Sequence, residues 1–310
     1  MLRLEYGKDK LPYDKVAIAV GLFDGVHIAH RELMLTTVRE ARDMGIPAGV
    51  FTFTGDIKSS STRIYTDDEK LDIIESLGID FVITASFADI AGKSAEEFCV
   101  DILHHELGVA LAVVGYNFKF GKGAVGTPDL LESIFASLGK RTIVVPEMTL
   151  DGKAVSSTRI REALAKGNMK AATDMLGAPY FVSGKVEHGI GQGRDTLGYP
   201  TVNVRKRLGS ADLPFGVYRA AVACLGKIYS AVCNLGKCPT LSPREAHFEA
   251  HIINFSEPVY DEQIKIYLLE FLREEIAFDT VEELKMQIKV DLERTIKANG
   301  EAKWITTGQK

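Results

Sequence analysis

Paired cysteines and metal-binding spacings are absent from this sequence. The chain has 310 residues and four cysteines, namely Cys99, Cys224, Cys233 and Cys238. None of them forms a CxxC pair or clusters with histidine, which argues against a zinc site and against a disulfide scaffold. We therefore interpret the four thiols as small apolar side chains.

Excess positive charge and long apolar runs are also missing. The formal net charge is -5 at pH 7, whereas proteins that bind nucleic acid or anionic lipid usually carry a basic face. No apolar run approaches the length that spans a bilayer, and residues 1–15 are too polar for a signal peptide. These absences predict a cytoplasmic protein without nucleic-acid or membrane partners. The sequence does not indicate an oligomeric state.

The pattern of apolar and polar residues changes near residue 179. Over residues 1–179, short apolar runs that begin with VAIAV at Val16 alternate with amphipathic helical stretches. This alternation predicts a parallel sheet with helices on both faces. Residues 180–310 read as short β-like runs separated by glycine turns, followed by one amphipathic helix that opens at Thr280. We expect a small barrel or sandwich there.

The ten residues GLFDGVHIAH, from Gly21 to His30, stand between the first predicted strand and the first helix. A helix N-terminus presents free N–H groups and partial positive charge. His27 and His30 share one face of the helix as it begins, and Gly21 and Gly25 permit a tight turn. The pattern favours a phosphate site. The alternative is a capping histidine followed by a core histidine.

This stretch resembles the FDGVH-x-GH element of bacterial bifunctional riboflavin kinase/FMN adenylyltransferases (FAD synthetases), which belong to the wider HxGH nucleotidylyltransferase class. The resemblance implies a Rossmann-like domain in which His27 and His30 are catalytic and contact the ATP phosphates. It also implies ATP contacts from the turn, at Gly21, Phe23, Asp24 and Gly25. Leu22 stands where Asn is usual, Ala29 stands where Gly is usual, and residues 51–56 lack the usual Pro-His-Pro turn.

Two further segments of the first domain carry the resemblance. Residues 115–121, GYNFKFG, are similar to a G-x-(D/N)-F-x-F-G element, which implies a flavin or nucleotide contact at Asn117. Residues 155–161, VSSTRIR, are similar to an ISSTxIR element at a helix start, where Ser and Thr can cap the helix and donate to phosphate. The resemblance implies ATP contacts at Ser157, Thr158 and Arg161.

The second domain resembles riboflavin kinase over its glycine-rich loop, its PTVN element and the stretch FEAHI at Phe248. The resemblance implies that Glu249 is the general base and that Thr201 and Asn203 hold Mg²⁺ and ATP oxygens. It adds ATP contacts at Gly191 and Gly193 and a flavin contact at Arg273. The remaining histidines, His251 among them, are interpreted as surface or packing residues.

The resemblance therefore implies two ATP-dependent steps, riboflavin to FMN at the barrel and FMN to FAD at the first domain, with Mg²⁺ assisting. One alternative is a riboflavin kinase whose adenylyltransferase domain is weak or inactive. A protein that binds flavin without turnover is a second alternative. A nucleotidylyltransferase for another acceptor would share the histidine motif but not the second domain.

Overall fold

The computed structural model describes residues 1–54, 62–187, 201–237 and 246–298. Contacts within the chain divide it into two compact units, Met1–Ser157 and Thr158–Lys310, and each is described by itself. The domain boundary near residue 179 stays a prediction.

The first unit is built on a six-stranded sheet with the strand order β1-β4-β3-β2-β5-β6. All five neighbouring pairs are parallel. The strands are β1 (Leu2–Glu5), β2 (Val16–Val20), β3 (Ala48–Thr54), β4 (Phe81–Ser86), β5 (Val109–Gly115) and β6 (Arg141–Val145). The predicted parallel α/β fold is confirmed.

Helices connect these strands. They are α1 (Ile28–Met44), α2 (Asp67–Ser76), α3 (Phe87–Ile90), α4 (Ala95–Glu97) and α5 (Pro128–Ser137). A π-helical stretch, Phe98–Glu106, continues α4, and a short 3₁₀ turn covers Lys122–Ala124. A two-stranded ribbon of β7 (Thr149–Leu150) and β8 (Lys153–Ala154) follows β6.

The centre of the sheet forms the core of this unit. Every residue of β2 is buried, as are the first six residues of β5. Buried strands of a parallel sheet read as continuous apolar runs because helices cover both faces. Helix α1 contributes Leu33, Met34 and Val38 to the buried interior. The rigid centre therefore carries the turn that follows β2.

The second unit contains a six-stranded antiparallel sheet in the order β10-β13-β12-β11-β14-β9. Its strands are β9 (Phe181–Lys185), β10 (Thr201–Arg205), β11 (Gly216–Cys224), β12 (Lys227–Lys237), β13 (Ala246–Ile252) and β14 (Gln263–Glu274). A bridge between Glu187, just after β9, and Asn203 in β10 joins the two edges. The sheet is therefore a nearly closed barrel, as predicted.

Three helices complete the second unit. Helix α6 (Ser157–Ala165) spans the division between the units, and α7 (Met169–Leu176) follows it. Helix α8 (Val281–Ala298) is the amphipathic helix predicted after Thr280. Within the described residues, none of the helices has the length and apolar character needed to cross a membrane.

Candidate active sites

A strained turn joins β2 to α1 in the first unit. Phe23, Gly25 and Val26 have positive φ values of 53°, 80° and 38°. The positive φ of Gly25 favours glycine, and a Cβ there would lie 2.7 Å from Ile64 Cδ1, so the end of the Ile64 side chain would have to shift. Phe23 is held in place because its side chain is buried. Backbone strain of about 1–3 kcal/mol per residue persists where the surroundings fix it, and such strain clusters at functional sites.

Hydrogen bonds fix this turn from three directions. Asp24 Oδ1 accepts from the backbone N–H of Ile64 at 3.2 Å, and the Asp24 carbonyl accepts from the Ser157 hydroxyl at 2.8 Å. The Leu22 carbonyl accepts from Thr52 Oγ1 at 3.1 Å. Asp24 and Ser157, both predicted at the ATP site, therefore support the turn itself. The Leu22 side chain, which replaces the usual Asn, is exposed.

His27 and His30 lie face to face at the start of α1. Their ring centroids are 3.6 Å apart and their planes are inclined by 18°. His27 is the N-cap residue of the helix, and its Nδ1 accepts from the backbone N–H of His30 at 3.4 Å. A neutral imidazole that accepts at Nδ1 carries its proton on Nε2. His27 therefore keeps an Nε2–H donor for a ligand.

Burial favours the neutral form of both imidazoles. It lowers the pKa of His27 to about 4. It also lowers the pKa of His30 well below its ordinary value, with smaller contributions from the nearby His27 and Lys70. Among the described residues, nothing hydrogen-bonds to the buried Nδ1 of His30. The pair therefore offers hydrogen bonds rather than full positive charges at neutral pH.

The turn after β2 lies where the strand order reverses. The chain passes from β2 to β3 on one side of the sheet, and β5 occupies the other side of β2. Ligands of open parallel sheets bind outside the carboxyl ends of the strands at such a point. Asn117, predicted to contact flavin, is exposed two residues after β5 ends. Adjacent strand ends thus carry the histidine turn and Asn117.

Helix α6 carries the third predicted segment. Ser157 is its first residue and belongs to the first unit, whereas Thr158 and Arg161 lie beyond the division. Thr158 is exposed and Arg161 is partly buried. The ATP contacts of these residues stay predictions.

A row of side chains crosses five strands of the barrel in the second unit. Asn203 pairs with Glu249, and Glu249 pairs with Asn234 on the next strand. Asn234 pairs with Val217, and Val217 pairs with Arg273. Directly paired residues of antiparallel strands point to the same face. The barrel therefore aligns three of the predicted site residues with two that the sequence did not single out.

Thr201 is hydrogen-bonded to the carboxylate of Glu249. Its Oγ1 lies 2.7 Å from Glu249 Oε1, and Asn203 beside it is buried. A carboxylate has about four acceptor positions on two oxygens, so this bond leaves most of them available. The structure thus brings together Thr201, Asn203 and Glu249, as the sequence predicts.

A cavity of about 370 Å³ opens over this face of the barrel. Thr201, Asn234, Glu249 and His251 contribute polar groups from the strands. The lining also includes apolar residues from α8 and from the segment before it, namely Ile276, Phe278, Leu284, Ile288 and Leu292. A concave site with an apolar side and a few convergent polar groups is typical of small-molecule binding.

Known proteins resemble this chain over both units. A family model described as FAD synthetase matches residues 10–159, and one described as riboflavin kinase matches residues 176–299. A bifunctional riboflavin kinase/FMN adenylyltransferase from Bacillus subtilis is 33% identical over 298 residues, which cover 91% of this chain and 92% of the relative. The chain belongs to the bifunctional riboflavin kinase/FMN adenylyltransferase family.

Two other matches extend over nearly the whole chain. The bifunctional riboflavin kinase/FMN adenylyltransferase of Haemophilus influenzae is 32% identical over 285 residues, with 89% of this chain and 92% of the relative covered. A crystal structure described as a macrolide-efflux protein from Streptococcus pneumoniae superposes with a TM-score of 0.84 at 29% identity. That match covers 95% of this chain and 99% of the other.

Arg273 of this bifunctional-family chain contacts a carboxylate within the protein. Its Nη2 and Nε lie 2.8 and 3.0 Å from Asp291 Oδ2, and Asp291 is buried in α8. Arg273 also lines the cavity. Its flavin contact stays a prediction. The ion pair gives the same side chain a second role, which is to hold α8 against the barrel.

Sequence reasoning did not select two lining residues of the kinase cavity. His251 was interpreted as a surface or packing residue, yet it lines the cavity together with Asn234. The available signal was the two-residue period of a strand, which places His251 on the same face as Glu249. Asn234 becomes recognisable only from the pairing of β12 with β13. Gly191 and Gly193 lie outside the described residues.

Proposed function

We propose that this chain makes FAD in two ATP-dependent steps. The barrel unit phosphorylates riboflavin to FMN, and the α/β unit transfers AMP from ATP to FMN. The observation that carries the kinase step is the Glu249 carboxylate, held by Thr201 in a cavity with an apolar side. The histidine pair at the strand-order reversal supports the second step.

Glu249 acts as the general base of the kinase step. Its carboxylate accepts the proton of the terminal ribityl hydroxyl as that oxygen attacks the γ-phosphorus of ATP, and ADP leaves with the electrons of the broken P–O bond. Thr201 orients the base through Oε1. The apolar side of the cavity offers a surface for the flavin ring, while Asn234 and His251 face it from the strands.

The oxygen donors beside Glu249 suit Mg²⁺. Thr201 and Asn203 supply a hydroxyl and a carboxamide oxygen, which are hard ligands. Across the described residues, no group of three or more His, Cys, Asp or Glu side chains could hold a metal. Mg²⁺ commonly takes few protein ligands and completes its shell with water and substrate phosphates. We infer that Thr201 and Asn203 hold the ion together with ATP, where it neutralises phosphate charge.

The adenylyl transfer needs positioning rather than a covalent intermediate. An FMN phosphate oxygen attacks the α-phosphorus of ATP, the bond to the bridging oxygen breaks, and pyrophosphate leaves. The Nε2–H of His27 and the backbone of the turn donate to phosphate oxygens and stabilise the charge that develops there. Asn117 follows the neighbouring strand β5 and supplies a contact to FMN or nucleotide in this proposal.

The test is incubation of the purified chain with riboflavin, ATP and Mg²⁺, with chromatographic separation of riboflavin, FMN and FAD over time. We expect FMN first and FAD second. The Glu249→Gln variant, given riboflavin, should form neither product, and given FMN it should still form FAD. Wild-type protein that accumulates FMN and forms no FAD would favour the kinase-only alternative. No turnover of riboflavin would refute the kinase assignment.

A further inference from the structure

Lys70 is a buried cation that the mechanism above does not use. Among the described residues it is the one lysine or arginine whose side chain is buried, with 6% of its surface exposed. Burial lowers its pKa, and its position as the fourth residue of α2 places it near the positive end of the helix dipole. Both effects disfavour a charge there, so the presence of a lysine at this position calls for a reason.

The ammonium group of Lys70 is tied to the phosphate turn by neutral oxygens. Its Nζ donates to the Phe53 carbonyl at 2.8 Å and lies 3.4 Å from Thr52 Oγ1. Thr52 in turn donates to the carbonyl of Leu22, inside the turn. The carboxylate of Asp67 is farther away, at 3.7 Å, and it also pairs with Arg63 at 2.9 Å. Lys70 therefore lies closer to neutral oxygens at the turn than to the carboxylate of Asp67, which it shares with Arg63.

The charge of Lys70 reaches the histidine pair. It is one of the causes that lower the pKa of His30, together with burial and His27. A field that disfavours a proton on His30 favours an anion held against the same ring, because both effects have the same Coulomb origin. His27 and His30 contribute hydrogen bonds without full charges at neutral pH. A polyphosphate bound at their rings would thus meet the positive potential of Lys70.

We propose that Lys70 supplies the fixed positive charge of the adenylyl-transfer site, acting on the ATP polyphosphate from behind the turn that carries His27 and His30. The inference rests on the proposed adenylyl transfer in the first unit. It assigns Lys70 two actions. The hydrogen bonds through Thr52 hold the turn, and the ammonium charge attracts the phosphates.

The charged groups around Lys70 define the pH behaviour expected of this site. Arg63 opposes protonation of Lys70, whereas Asp67 and Asp24 favour it, and burial is the largest effect, so the pKa is lowered. His30 on α1 is the other titratable group coupled to it. Adenylyl transfer should therefore decline on the alkaline side as Lys70 loses its proton. Arginine, which keeps its charge in proteins, should move that decline to higher pH.

The first experiment compares Lys70→Met and Lys70→Arg in the full chain, with FMN and ATP supplied. For Lys70→Met we expect the KM for ATP in adenylyl transfer to rise by about tenfold or more, the scale of a lost interaction with a charged group. Lys70→Arg should remain within a few-fold of wild type and show the alkaline decline at higher pH. Riboflavin phosphorylation, measured on the same samples, should be unchanged and reports that the barrel unit is intact, while a thermal unfolding curve of each variant reports whether the first unit folds.

The second experiment does not depend on turnover. Inorganic pyrophosphate is titrated into each protein while the ring resonances of His27 and His30, assigned with His27→Asn and His30→Asn, are followed by NMR. Binding at these rings should weaken about tenfold in Lys70→Met and stay close to wild type in Lys70→Arg. The His30 ring should also titrate at higher pH in Lys70→Met.

Equal pyrophosphate affinities in all three proteins, or equal losses in Met and Arg, would overturn the proposal. Wild-type protein that forms no FAD would instead count against the proposed function, while this titration still judges Lys70.

Discussion

At the scale of single residues, His27 combines two roles in one ring. Its Nδ1 caps α1, and its Nε2–H remains as the donor we assign to phosphate. Asparagine is a favoured N-cap residue but is too short to reproduce the remote donor, whereas glutamine keeps a remote amide and is a poorer cap. His27→Asn should therefore lose adenylyl transfer by about tenfold or more while folding normally, and His27→Gln should keep more activity with about 1 kcal/mol less stability.

The His27→Asn variant also gives a prediction for the pH dependence of stability. The pKa of His27 is lowered by burial from 6.5 to about 4, so the unfolded chain binds more protons than the folded chain between these values. The stability contribution of neutral His27 is present above pH 6.5 and is lost as the pH falls toward 4. Between pH 7.5 and 5.0, wild type should lose about 2 kcal/mol more unfolding free energy than His27→Asn. Urea unfolding at both pH values measures this, and parallel losses would contradict the assigned pKa.

The sequence predicted residue types at the sites better than it predicted their electrostatic state. GLFDGVHIAH indicates a phosphate turn because its residues follow a buried strand and open a helix. The same letters do not reveal that burial removes the charge of both histidines, because desolvation depends on packing by distant segments. Ile64 and Thr52, which hold the turn, are likewise ordinary residues in the sequence. The Glu249–Thr201 bond required the register of β10 with β13.

At the scale of elements, several helices begin at signals that lie within a few residues of the sequence. Thr66 with Glu69 and Ser94 with Glu97 form complete capping boxes, and Pro128 occupies the first turn of α5. These signals are contained within a few residues and need no tertiary information. The edge strand β1 was not predicted, since the sequence reading began the sheet at Val16. Its pairing partner β4 lies about 80 residues away, and its side chains are mostly exposed, so it lacks a continuous apolar run.

Helix α8 gives the prediction that belongs to this scale. Asp291→Asn would leave Arg273 in a largely buried position without its counter-charge, and breaking a buried pair costs about 3 kcal/mol or more. Because α8 lines the kinase cavity, we expect a KM for riboflavin raised at least about tenfold and faster amide exchange along α8. FMN adenylylation should be unchanged.

The matched control is Asp174→Asn, which removes the exposed Lys170–Asp174 pair and should change stability by at most about 0.5 kcal/mol. A riboflavin KM equal to wild type in Asp291→Asn would contradict the role given to the pair.

At the scale of the whole molecule, the order of motifs along the chain predicted two activities in two folds. That inference succeeded because the motifs that resemble each activity follow one another along the chain, although Thr158 and Arg161 of the VSSTRIR motif lie beyond the division between the units. The family models match the two halves separately, over residues 10–159 and 176–299. The segment up to Arg161 and the segment from residue 176 onward should therefore each complete one step without a residue from the other, with FMN as the shared intermediate.

Mixing two inactive forms tests this separation. Glu249→Gln should not phosphorylate riboflavin, and His30→Ala should accumulate FMN without forming FAD, which shows that its barrel unit is intact. Given riboflavin and ATP, neither variant alone should yield FAD, but the mixture should form FAD after a lag. The lag follows because FMN must leave one molecule and accumulate to the KM of the other.

Adding FMN at the start should abolish the lag, and the lag should shorten as the proportion of His30→Ala rises. A mixture that builds up FMN yet never forms FAD, while Glu249→Gln alone converts added FMN, would show that FMN made by one chain is not available to another.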